Sequence, residues 1–205
     1  MSSNPSDEYL TIRSLARAKT KVEGSIFIAT AIPVDSEEEA KGSIREISGK
    51  FFDATHNCFA FRIKSAGGES ERFSDAGEPR GTAGTPILFA IQSENLCNVL
   101  VVVTRYFGGV KLGTGGLSRA YRQSAQSALQ RAEKVTRWIT SEMTLSYPPN
   151  TTGKVNQIFT RYGIRVKDQG YDDSPTARIE VRTSLLDKVK KALVEVTNGQ
   201  VRFKS

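Results

Sequence analysis

The chain has 205 residues, 38% hydrophobic and 25% charged, with 17 Gly and 7 Pro, a composition that excludes a disordered, collagen-like or low-complexity protein. Its formal charge of +7 favours polyanionic partners, and no run approaches the ~20 apolar residues that a membrane span needs, so no membrane partner is expected. Two cysteines, Cys58 and Cys97, are too few for a disulfide framework and too far apart for a CxxC motif, and the polar, acidic start of the chain does not resemble a signal peptide. The expectation is a reduced, cytoplasmic protein.

Residues 9–34 alternate apolar and polar and read as two or more strands, ended by Pro33. Asp35 with Glu38 has the spacing of a capping box, opening a helix through about Ser48 that Gly49 closes. His56 to Ile63 reads as a strand, and residues 64–84 as a long connection of the kind that is usually functional or mobile. Thr85 is placed to cap a helix with Pro86 in its first turn. Leu96 to Thr104 is the most hydrophobic run and reads as a central strand. A glycine-rich loop, Gly108 to Gly116, leads into a helix reaching about Ala132, whose apolar stripe runs through Leu117, Ala120, Tyr121, Ala125 and Ala128.

Residues 133–137 read as a junction. Beyond it, Ile139–Tyr147 forms a strand and Pro148-Pro149 starts a helix stopped by Gly163. Strands at Ile164–Gln169 and Ala177–Arg182 form a hairpin across Asp172-Asp173-Ser174-Pro175. Ser184 with Asp187 caps a last helix, ended by Asn198-Gly199 before a strand at Gln200–Phe203. The order β-α-β-β-α-β predicts a ferredoxin-like plait. The class is α+β with two domains, residues 1–135 and 136–205.

Charge is unevenly spread. Residues 1–135 hold 17 basic and 15 acidic residues, against 12 and 7 in residues 136–205. Seven basic residues and Glu133 alone fall within 105–137, whereas segment 35–46 is acidic. The strongest local signal is the strand, glycine loop and helix start from Val101 to Arg119. Gly108, Gly109, Gly113, Gly115 and Gly116 let the backbone turn and approach a ligand, and Arg105, Lys111, Arg119 and Arg122 surround a helix N-terminus. A phosphate cradle and a plain tight turn both fit this pattern. Neither a Walker A loop nor GxGxxG is present, because Thr114 follows Gly113 and Ser118 stands at the last glycine position. Tyr106 or Phe107, where exposed, would stack on a base.

His56, the one histidine, reads as a structural strand residue or a catalytic candidate together with Asp75 and Glu78. Those two carboxylates lie on a glycine-punctuated loop, either as an acid–base pair or as an ordered cap accepting backbone N–H bonds. No metal site is read from the soft ligands present, and no cofactor is expected.

Four segments carry a resemblance: Phe27-Ile-Ala, Asp53-Ala-Thr-His-Asn-Cys-Phe-Ala60, Ser74-Asp-Ala-Gly-Glu-Pro-Arg-Gly-Thr-Ala-Gly-Thr-Pro86 and Val103 through Leu117. Together they resemble the signature blocks of the IMPACT family, and the length and C-terminal plait are similar to its bacterial YigZ-type branch. Where the family often has two adjacent acids before Gly-Glu-Pro, the second is here Ala76. The resemblance implies an N-terminal domain like the second domain of a small-subunit ribosomal protein, and a C-terminal domain like the plaits of elongation factor G. It also implies regulation of translation, as in eukaryotic relatives, and transfers no catalytic residue.

The reading placed first is a non-enzymatic, translation-associated regulator that binds RNA or a ribosome-associated partner. An enzyme acting on a phosphorylated small molecule or nucleotide is the second, requiring His56, Asp75 and Glu78 to converge near the loop. A protein-binding regulator without nucleic-acid contact is the third. A monomer is the favoured state.

Overall fold

The computed structural model describes residues 7–171 and 173–204, and two compact units divide the chain. Among the described residues, 9–137 form one; residues 138–204, together with Asp7 and Glu8, form the other.

In the first unit, β1 (Glu8–Ile12) pairs with β7 (Lys134–Trp138) in a two-stranded sheet, so the segment read as a junction is a strand. A five-stranded antiparallel sheet has the order β2-β3-β6-β4-β5, from β2 (Ala16–Val22), β3 (Ser25–Pro33), β4 (His56–Ser65), β5 (Gly68–Ser74) and β6 (Val99–Tyr106). The hydrophobic run thus lies at the centre, as its composition requires. Alternate residues of β6 face two cores. Val101 and Val103 pack with Phe27, Ile87, Tyr121 and Leu129 beneath α2 (Gly84–Ser93) and α3 (Gly113–Arg131). Leu100 and Val102 pack with Phe61, Ala40 and Ile47 beneath α1 (Glu37–Lys50). Each fully buried side chain of this size contributes roughly 1.5–3 kcal/mol.

Several local expectations shift. The cap of α1 is Ser36, whose hydroxyl accepts the Glu39 N–H, while Glu39 reaches back to the Asp35 N–H; the box therefore stands one residue later than Asp35 with Glu38. The helix runs through Gly49 to Lys50. The connection expected over 64–84 contains β5, which pairs with β4 through a turn at Ala66-Gly67. Its Glu69, Glu71 and Arg72 suit a solvated edge strand and hide it from a hydrophobic pattern. No side chain of α2's own sequence caps it, Thr85 included. The last helix begins at Leu186 after a 3₁₀ turn, and Ser184 Oγ donates to Asp7 instead of capping it.

In the second unit the elements are β8 (Thr140–Ser146), α4 (Thr152–Arg161), β9 (Arg165–Tyr171), β10 (Pro175–Arg182), α5 (Leu186–Val196) and β11 (Arg202–Lys204). The sheet order is β11-β8-β10-β9 and every pair is antiparallel. Leu145, Ala177 and Ile179 pack against Val155, Phe159, Val189 and Leu193 of the two helices. Gly163 (φ 59°) and Asn198-Gly199 (φ 51° and 77°) end the helices in the left-handed region, as glycine and asparagine tolerate. Of the expected hairpin turn, Asp172 lies outside the described residues.

Candidate functional site

The three adjacent strands β3, β6 and β4 bring Phe27, Arg105 and His56 side by side, since Arg105 is the cross-strand partner of both. Arg105, expected to contact phosphate, is instead 5% exposed. Its Nη1 donates to Glu78 Oε1 at 2.6 Å, and its guanidinium lies 5.5 Å from the Phe27 and Phe107 ring centres. A cation placed on a central strand has to be paired, and Glu78 supplies the charge. The Tyr121 hydroxyl donates to the same Glu78 oxygen at 2.7 Å. Cys58 Sγ lies 3.4 Å from the Tyr121 oxygen and donates to the Asp75 carbonyl. Burial pushes the Cys58 thiol up to about 12 and the Tyr121 hydroxyl far above its ordinary value. Both stay protonated and act as donors.

His56 Nδ1 is 2.9 Å from the Ala76 carbonyl oxygen, an acceptor only, so in the neutral ring Nδ1 holds the hydrogen. Nε2 is left facing Glu78 Oε1 at 4.0 Å. His56 and Glu78 therefore come together, while Asp75 does not join them. Asp75 Oδ1 accepts the N–H groups of Ala83 and Gly84, and Oδ2 that of Gly81. This carboxylate is the cap of α2. Burial pushes it up, but the three N–H bonds and the Arg80 charge outweigh burial and hold it below its ordinary value. Among the described residues no three His, Cys, Asp or Glu side chains gather as a metal site needs.

The glycine loop divides into two parts. Gly108 is packed: a Cβ there would lie 1.9 Å from the Gly24 carbonyl carbon in the β2–β3 turn. Its N–H donates to Ser25 Oγ, and the Phe107 N–H to Thr55 Oγ1. Gly113, Gly115 and Gly116 belong to α3 itself, which starts earlier than the expected loop allowed. No side chain caps that helix and no acid lies in its first turn. Gly109, with φ 89°, makes the turn before it.

Around this end of α3 lie exposed cations. Lys111 and Arg119 are exposed and have no carboxylate or hydrogen-bond partner among the described residues, and Arg122 lies over the Phe89 ring at 4.2 Å. Phe107 is 48% exposed. Tyr106 is only partly exposed and its hydroxyl donates to Asp53 at 2.8 Å, so its ring is tethered to the 51–55 turn. Tyr121 carries a signal in the sequence beyond its place in the apolar stripe. A tyrosine in an otherwise alanine and leucine stripe brings a hydroxyl into the core that must find a partner.

Residues 23–129 match the model of the Impact N-terminal domain, and residues 145–200 match a domain of unknown function, DUF1949. The chain belongs to the IMPACT family. It is 33% identical to the IMPACT family member YvyE of Bacillus subtilis over 199 residues, covering 96% of this chain and 90% of that one. To the IMPACT family member YigZ of Escherichia coli it is 27% identical over 185 residues, covering 89% and 90%. A crystal structure described as a hypothetical protein superposes with a TM-score of 0.71 at 25% identity, covering 97% of both chains. Among the described residues, no helix is long and apolar enough to cross a membrane.

Proposed function

We propose that this protein is a cytoplasmic, non-enzymatic regulator associated with translation, and that it binds RNA or a ribosome-associated partner through the loop before α3 and the exposed face of that helix. The observation that carries this reading is the exposure of Lys111, Arg119 and Arg122 with no carboxylate partner, next to a helix start free of acids. Cations that meet no carboxylate suit phosphate oxygens, and Phe107 supports a stacking contact with a base. Arg105 and Tyr106 serve as its frame, with Gly108 fixing the loop. The same reading takes residues 1–135 as a domain of the ribosomal-protein type. It takes residues 136–205 as a ferredoxin-like plait, supported by the strand order β11-β8-β10-β9.

The test is fluorescence anisotropy with a short single-stranded RNA and a structured RNA, comparing wild type with the Lys111→Glu, Arg119→Glu, Arg122→Glu variant. The variant is expected to bind at least ten-fold more weakly at 50 mM salt; equal binding overturns the reading.

One observation favours a second reading, an enzyme acting on a phosphorylated small molecule or nucleotide. His56 Nε2 and Glu78 Oε1 face each other at 4.0 Å, and Glu78 is fixed by Arg105 and Tyr121. Turnover of a phosphorylated substrate that His56→Gln abolishes would establish it. Asp75 has no part in such chemistry, because its carboxylate holds backbone N–H groups.

A further inference from the structure

We propose that the helix-free face of the C-terminal sheet is a second phosphate-contacting surface, one that holds an RNA backbone without reading its bases. The strand register defines this face, because cross-strand partners lie on the same side of a sheet. Arg202, Ser146, Thr176 and Gly170 form one row, and Lys204, Thr144, Arg178 and Asp168 the next. Between them Phe203, Leu145 and Ala177 point the other way, into the core under α4 and α5.

Pairing separates this end of the face from the other. At the far end Lys167 lies 3.1 Å from Glu142 and 3.6 Å from Glu180 and Arg165 is 3.9 Å from Glu180, while Arg182 meets no acid and sits 4.0 Å over the Trp138 ring. In the two rows above, Arg178, Arg202 and Lys204 are exposed, and none has an ion pair or hydrogen bond among the described residues. Asp168 is the one acid there, against three cations.

The chemistry favours a polyanion over a protein. Stable protein interfaces bury an apolar centre, and these rows have no large apolar side chain. They offer instead three long cations around the short hydroxyls of Thr144, Ser146 and Thr176, the last lying against Gly170. Hydroxyls and cations together are the usual partners of phosphate and sugar. No aromatic ring stands in either row, so contacts go to the backbone and binding is indifferent to sequence.

The test uses the full chain and a 5′-fluorescein-labelled 20-nucleotide uridine RNA, titrated by anisotropy between 50 and 200 mM KCl. A variant carrying Arg178→Gln, Arg202→Gln and Lys204→Gln is compared with wild type. A control carrying Lys154→Gln, Lys188→Gln and Lys191→Gln removes the same charge from exposed positions on α4 and α5. Each phosphate contact to a single strand adds about 0.7 to the slope of log K against log salt. The sheet-face variant should therefore lose about 2 in slope, while the control keeps the wild-type slope. A mixed-sequence RNA of equal length should give the same slope as the uridine RNA. An unchanged slope in the sheet-face variant overturns the proposal, as does an equal loss in the control. If the Lys111, Arg119, Arg122 variant loses slope and the sheet-face variant does not, this proposal alone falls. If wild type fails to bind at 50 mM salt, both surfaces fall.

Discussion

Glu78 joins three elements through one oxygen, accepting from Arg105 on β6 and Tyr121 on α3 and facing His56 on β4. Removing it leaves a buried guanidinium without a counter-charge, and Arg105 Nε already has no partner. Glu78→Ala should cost ~3–5 kcal/mol in urea unfolding, the usual penalty for orphaning a buried ion; a cost below ~1 kcal/mol would show that water replaces the carboxylate. Gly108 is a second such residue. Gly108→Ala drives a Cβ into the Gly24 backbone and should cost at least ~1–3 kcal/mol. Gly115→Ala should stabilise by up to ~1 kcal/mol, because a Cβ there meets only the flexible end of Arg119 and alanine is the better helix former. Thermal unfolding of the two variants separates the glycines that the fold requires from those that it tolerates.

At the scale of elements, the start of α2 depends on Asp75, which reaches it from the end of β5. A carboxyl held below its ordinary value of 3.8 stabilises the fold fully above that pH. The contribution is lost as pH falls through the lower, folded value. Asp75→Asn should therefore flatten the acid limb of a Tm–pH curve below about pH 4, and leave the curve parallel to wild type above pH 5. An unchanged acid limb would mean that other carboxylates dominate it.

The same contact explains what a reader of the sequence can and cannot see. The β6 run, the apolar stripe of α3 and the alternation of the C-terminal unit are carried by side chains of neighbouring residues, so they are legible. The cap of α2 spans eight and nine residues, and β5 and β7 are polar strands at sheet edges, so none of them has a local signature. Arg119 and Arg122 fall on the solvent side of a helix whose period is plain, and Lys111 lies in the loop just before it. Arg105 looks the same as they do in sequence, and only the arrival of Glu78 from 27 residues away shows it to be internal.

Across the whole molecule, a charge of +7 is not spread evenly: residues 105–137 hold seven basic residues and one acid. Pairing, more than the count of basic residues, distinguishes a binding surface from a solvated one. Arg62 is flanked by Glu69 and Glu71, and Lys134 by Glu94, whereas Lys111, Arg119 and Arg122 face no carboxylate among the described residues. The most direct test is the salt dependence of wild-type binding to single-stranded RNA. With Lys111, Arg119 and Arg122 each meeting one phosphate, log K should fall against log salt with a slope of at least about −2. A slope near zero, or no binding at 50 mM salt, would contradict the account.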